Sequence, residues 1–226
     1  DVSELIEKKA VDLAWQPIVT ADDGLPFGAE ALARFPSFPE HGPGQLLMRA
    51  RRSAPHLTLD HLVLERILDA VGSRSPDRIC FVNVWPDLLL DTSFLEVLTR
   101  APRKIVVELV EDEANVEAHV LRAAAERLKS IGHAVALDDI GAGMSNLTRL
   151  VEVRPDYLKL DRSIVSGLDR DAGRRSLVEA FVQFSGIVGG TVVAEGVERQ
   201  EEWAVLQSLG VPLAQGFLFG RPQVGE

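Results

Sequence analysis

The chain has 226 residues, 46% hydrophobic and 26% charged, which suits one large domain or two small ones with a sizeable core. Its 34 acidic and 24 basic residues leave a net charge of −10, a balance that excludes ready binding of nucleic acid polymers or anionic membranes. A single cysteine, Cys80 in the apolar run Ile79–Val82, excludes an internal disulfide and fits a buried thiol in a reducing, cytoplasmic compartment.

The opening residues 1–9, Asp1 to Lys9, read as a polar helical lead-in, and the chain starts without methionine. We expect residues 1–226 to form a single domain cut from a longer protein, which a membrane could anchor elsewhere. Residues 1–10 would be the lead-in helix from an upstream region. Strand-like runs then follow at Val11–Thr20, Pro26–Phe35, Arg78–Val84, Lys104–Val110, His133–Asp139, Tyr157–Leu160, Thr191–Glu195 and Leu213–Phe219. Several are apolar almost throughout, as parallel strands covered on both faces are. Only Ala21–Leu25, with Asp22-Asp23-Gly24, separates the first two runs. That is a hairpin turn, so the first strand is antiparallel to the second.

Between the later runs lie helical stripes. Leu59, Leu62, Val63, Ile67 and Ala70 form one; Val116, Val120, Leu121, Ala124 and Leu128 form another; Trp203, Leu206 and Leu209 form a third. They are core-facing surfaces. The Pro- and Gly-rich Ser37–Gly44 reads as a long loop, and the apolar Phe184–Ala194 is too short to span a bilayer. Strands alternating with helices give an α/β fold, a TIM-type (β/α)8 barrel with an antiparallel first strand.

In such barrels chemistry sits where the strands end. The polar residues there are Glu30, Asn83, Glu108 with Glu111, Asp138-Asp139, Lys159 with Asp161, Glu195 with Glu198, and Gln215. Crowded carboxylates repel unless cations neutralise them. An all-oxygen set suits Mg2+ or Mn2+ better than zinc. The histidines, His41, His56, His61, His119 and His133, form no ligand pattern. Asp138 and Asp139 would face opposite ways within a regular strand. Both reach one site if the strand ends there, as Gly141-Ala142-Gly143 suggests. A carboxylate shared by two cations about 3.5–4 Å apart is the core of two-metal phosphoester hydrolysis. Taken alone, the Asp pair reads better as a turn or a helix cap than as a metal site.

Eight segments in order then resemble one family. Glu30-Ala31-Leu32 resembles the E-A-L signature of bacterial cyclic-di-GMP phosphodiesterases. Gln16-Pro17-Ile18 is similar to its Q-P-I, Val82-Asn83-Val84 to N-x-S, and Glu108-Leu109-Val110-Glu111 to E-x-T-E. Asp138 to Gly143 resembles D-D-F-G-T-G, Lys159-Leu160-Asp161 resembles K-I-D, and Glu195 to Glu198 matches E-G-V-E. Gln215 to Pro222 resembles Q-G-Y-x-F-G-x-P.

The resemblance implies an EAL-type barrel that hydrolyses cyclic-di-GMP to linear pGpG. Glu30, Asn83, Glu108 and Asp138 would hold one metal, with Asp138 and Asp139 engaging a second, as Mg2+ or Mn2+. Lys159 would orient the attacking water, and Glu195 would be its general base or positioning group. Gln16, Leu32, Arg34 and Gln215 would contact the dinucleotide, with Arg34 on a phosphate. Glu198 would tether the loop after the fifth strand through Glu111. A homodimer and an upstream sensor or GGDEF domain are implied as partners; nucleic acid polymer and membrane contact are not.

Departures from the family pattern are Ile140, Ala142 and Met144 for Phe, Thr and Tyr, and Trp85 for a small serine. Residues 35–44, after Arg34, depart as well. Three readings stand at this point: an active phosphodiesterase, favoured by the unbroken residue set; a catalytically weak cyclic-di-GMP sensor, favoured by Trp85 and the altered loop; and a protein-interaction module.

Overall fold

The computed structural model describes residues 2–38, 42–51, 56–73, 78–109, 117–141 and 146–225. Its strands are β1 (Asp12–Thr20), β2 (Pro26–Arg34), β3 (Ile79–Val84), β4 (Val106–Leu109), β5 (Ala134–Ile140), β6 (Tyr157–Leu160), β7 (Thr191–Ala194) and β8 (Leu213–Gln215). They run round in chain order, and β1 closes the barrel by pairing with both β2 and β8. Strands β2 to β8 are mutually parallel, and β1 is antiparallel to both neighbours. The hairpin sets this direction. Thr20 N donates to Leu25 O at 2.9 Å, Leu25 N donates to Asp23 Oδ1 at 3.0 Å, and Gly24 takes φ 71°.

All eight expected strands are present, several with ends shifted by one or two residues, and two differences are larger. The eighth stops at Gln215 rather than Phe219, because Gly216 lies against the Val197 backbone, where a Cβ would come within 2.1 Å of Val197 O. A ninth strand, β9 (Gln223–Val224), pairs with β1 at Ala14 and Trp15. It occupies the part of that edge left open by the short β8.

The helices are α1 (Val2–Lys8), α2 (Pro43–Arg51), α3 (His56–Ser73), α4 (Thr92–Thr99), α5 (Ala118–Ser130), α6 (Asn146–Val153), α7 (Arg162–Val165), α8 (Ala172–Val188) and α9 (Gln200–Ser208). The apolar stripes face inward. Leu59, Leu62 and Ile67 are buried on α3, Leu121, Ala124 and Leu128 on α5, and Leu206 on α9. Val116 lies outside the described residues. Helix α2 begins inside the stretch read as a loop, with Pro43 in its first turn, where a missing N–H costs nothing. The lead-in α1 is less polar in effect than in composition. Its Leu5 is buried with Val11, Phe35, Leu46, Leu59 and Leu62. Among the described residues no helix is long and apolar enough to cross a membrane.

Alternation along each strand builds the barrel interior in layers. Ile18, Phe81, Val106, Ala134, Ala136, Val193 and Leu213 form an apolar plug. Two residues on from plug positions, towards one mouth, stand Gln16, Asn83, Glu108, Asp138, Glu195 and Gln215, and at the same level Glu30 and Lys159. Each of the eight staves thus places one polar residue above the plug. Phe81, fully buried, is the largest plug side chain. Phe81→Ala is expected to destabilise the protein by about 3–5 kcal/mol, read as a lower urea midpoint at unchanged slope; a loss below about 1 kcal/mol would show that the interior closes over the space.

Candidate active site

Lys159, only 1% exposed, rises from β6 into the centre of the polar layer. Its Nζ lies 2.7 Å from Glu195 Oε1, 2.8 Å from Glu108 Oε1, 3.3 Å from Asp138 Oδ1 and 3.8 Å from Glu30 Oε2. Burial disfavours the lysine charge, but Glu108, Glu195, Glu30 and Asp138 outweigh it and raise its pKa well above the usual value.

One ammonium cannot neutralise four carboxylates, and they divide accordingly. Burial pushes Glu30 up, but Lys159 and hydrogen bonds from Gln215 and Asn83 outweigh it and leave its pKa lowered. Those bonds are Gln215 Nε2 to Glu30 Oε2 at 2.7 Å and Asn83 Nδ2 to Glu30 Oε1 at 2.6 Å. Glu108 goes the other way. Burial and the Glu30 charge raise it well above the carboxylate range against the pull of Lys159. Burial also raises Glu195, to about 8, with Asp138 and Glu30 adding to it and Lys159 opposing.

Asp138 and Asp139 meet in a way the sequence does not show. Strand β5 continues through Ile140, so the pair does not lie at a strand end. Instead the β5–β6 register shifts between Leu137 and Ile140, and Asp139 takes φ 54°. This bulge sets aside the alternation, and aspartate is among the few side chains that tolerate such a φ. Asp139 N donates to Asp138 Oδ1 at 3.0 Å. One oxygen each from Asp138, Asp139 and Glu195 lie within 4.8 Å of one another.

Gln16, Glu30, Asp138, Lys159, Glu195 and Gln215 line one cavity of about 270 Å3, together with Asp161, Arg162, Glu198 and Phe217. Gln215 Nε2 also donates to Gln16 Oε1 at 3.1 Å, which draws the reversed strand into the site. Leu32 and Arg34 are not brought into that group. They line a neighbouring cavity of about 250 Å3 with Trp85, and Asn83 stands between the two. Arg34 Nη1 donates to Ala33 O. A larger cavity, about 800 Å3, lies on the outer wall by Trp15, Arg66 and Arg78, away from the charged cluster. Chemistry rather than size marks the site.

Glu111, Ala142 and Met144 fall outside the described residues, and Ile140 is buried. Glu198, expected to tether through Glu111, is 3.1 Å from Arg162 Nη2. No pattern in the sequence marks Arg162 for this role. Its one signal is its place just beyond a strand end that already carries Lys159 and Asp161. Asp161 caps α7 by accepting from Ser163 N at 2.9 Å. Phe217, 44% exposed, carries the Arg221 guanidinium 4.0 Å from its ring centroid.

The donor set fits divalent cations. Glu108 is fully buried, yet neither carboxylate oxygen receives a hydrogen bond, although Oε1 is close to Lys159. Buried oxygens left so exposed to each other's charge call for a cation. The ligand atoms on offer are all oxygen or amide.

The family model for the EAL domain matches residues 1–222. The bifunctional diguanylate cyclase/cyclic di-GMP phosphodiesterase MucR of Pseudomonas aeruginosa is 29% identical over 100% of this chain and 35% of its own length. The chain therefore spans about a third of that relative. The solved structure of the PaMucR phosphodiesterase in complex with c-di-GMP superposes with a TM-score of 0.84 at 28% identity, over 99% of this chain and 96% of that one. The manganese/cy-diGMP complex of Klebsiella pneumoniae BlrP1 gives 0.83 at 28% identity, over 95% of this chain and 56% of that one.

Lys159→Met leaves the carboxylates without their shared cation. It is expected to destabilise the protein by about 3–5 kcal/mol in the presence of a chelator, measured by denaturant unfolding. A change below about 1 kcal/mol would mean that the carboxylates take up protons and need no lysine.

Proposed function

The chain belongs to the EAL domain family, and on that premise we propose that it hydrolyses one phosphodiester bond of cyclic-di-GMP to linear pGpG in bacterial second-messenger signalling. The observation that carries the reading is the buried lysine ringed by carboxylates, Glu108 among them, next to the clustered Asp138, Asp139 and Glu195 oxygens.

In this reading Glu30, Asn83, Glu108 and Asp138 hold one ion, and Asp138 with Asp139 holds a second, either Mg2+ or Mn2+. When bound, such ions polarise phosphoryl oxygens and make water nucleophilic at neutral pH. Lys159 orients the water and offsets the charge that grows on phosphate oxygens. With the added positive charge of the ions, Glu195 would ionise and accept the water proton. The water oxygen bonds to phosphorus, the bond from phosphorus to the ribose 3′ oxygen breaks, and that oxygen takes a proton from solvent and leaves as a hydroxyl. Gln16 and Gln215 face the dinucleotide from one side, with Leu32 and Arg34 on the other. Arg34 pairs with a phosphate. Glu198 holds the rim of the site, through Arg162 at least.

A second reading, a cyclic-di-GMP sensor without turnover, draws on Trp85. Its ring is half-buried and shares the cavity of Leu32 and Arg34. Incubation with cyclic-di-GMP and Mn2+ or Mg2+, followed by chromatography, separates the two. We expect pGpG to form, a chelator to stop it, and Glu30→Ala to lower turnover by about 100-fold or more. Binding without product would favour the sensor, and neither binding nor product would leave an interaction module.

A further inference from the structure

The segment from Glu195 to Arg199 joins β7 to α9 without regular structure, yet it carries two of the site's acids. One oxygen each from Asp138, Asp139 and Glu195 lie within 4.8 Å of one another, and like charges so close repel. The near end of the segment is held by Glu195 N donating to Leu160 O at 3.0 Å. Its middle is held at Val197, whose N donates to Gln215 O and whose O accepts from Leu218 N, each at 3.1 Å.

The far end is held by Glu202 on α9, which is 2% exposed. Its Oε2 accepts from Glu198 N at 3.2 Å and Arg199 N at 3.1 Å. Its Oε1 accepts from Gly167 N at 2.9 Å and from Arg199 Nε and Nη2 at 3.1 and 2.9 Å. Arg199 in turn grips Asp169 with both Nη1 and Nη2. Capping α9 needs only the bond from Arg199 N to Glu202 Oε2. The bonds to Glu198 N and Gly167 N lie outside that requirement. They fasten the segment after β7 to the segment after α7.

We propose that Glu202, with Arg199, is a positioning device for the Glu195–Glu198 segment. It holds Glu195 against Lys159 and against the push of the neighbouring aspartates. It touches no reacting atom. The inference rests on the phosphodiesterase reading, since that reading puts Glu195 at the attacking water.

The test uses the full chain with Glu202→Gln, Glu202→Ala and Arg199→Met. Turnover of cyclic-di-GMP with Mn2+ is measured well below each variant's unfolding temperature. Hydrogen exchange at the Glu198 and Arg199 amides is followed in parallel. Glu202→Ala should lower kcat about 10-fold with KM held within about three-fold, and both amides should exchange faster. Glu202→Gln should fall between, because its amide oxygen still accepts. A folded Glu202→Ala within about two-fold of the wild-type kcat would overturn the proposal. So would a rise in KM alone. If Glu202→Ala does not fold, Glu202→Gln and Arg199→Met decide by the same measures. A wild-type protein without turnover overturns the phosphodiesterase reading instead. Exchange then judges the device alone: slow in the wild type and fast in Glu202→Gln upholds it, and equal rates sink it.

Discussion

A single buried ammonium, Lys159, holds four carboxylates together at the mouth of the barrel. Such a cluster is stable only within narrow limits. Removing one partner of a buried ion pair strands the other at a cost of several kcal/mol. Leaving all partners in place still leaves excess negative charge, because one cation faces four acids. The excess falls on Glu108 and Glu195, whose pKa values rise, while Glu30 keeps its charge through Lys159 and two amide donors. The layer is therefore acidic enough to attract a cation and neutralised enough to fold.

The barrel makes this layer possible by parity. Every stave sends one side chain to the same level, so eight groups meet without any chain segment entering the interior. The plug beneath, with Phe81 and Ile18 at its core, keeps water out from the other end. The reversed β1 contributes a neutral group, Gln16, beside the neutral Gln215. Gln215 bridges Gln16 and Glu30, so the two amides complete the ring where a further acid would add only repulsion. The Ala21–Leu25 turn thus reaches the chemistry through strand direction.

Much of this was legible in the sequence because it follows from short-range rules. Apolar runs marked the strands, the short turn after Thr20 fixed the antiparallel pair, and acids at strand ends marked the mouth. What escaped depends on three-dimensional neighbours. Asp139 joins Asp138 through a bulge, and a register shift leaves no periodic trace. Two residues of β9 are too few for a pattern, and their partner on β1 lies far away in the chain. Arg34 and Leu32 follow Glu30 closely on β2, yet they line a different cavity. Glu198 pairs with Arg162, and no spacing rule links residues on different loops.

The loops around the mouth brace one another in sequence. Asp161 N donates to Ile140 O at 3.1 Å, and Ile164 fills the space where a Cβ on Gly141 would lie. Gly141 has φ 104°, so both its backbone and its neighbour require glycine. Arg162 packs across Gly196 to reach Glu198, and a Cβ there would come within 2.5 Å of the arginine side chain. Val197 then joins the segment after β8. These contacts tie the segments after β6, β7 and β8 to one another, from Gly141 round to Leu218. The acids at the mouth are thus carried on segments that brace one another, against the repulsion of their own charges.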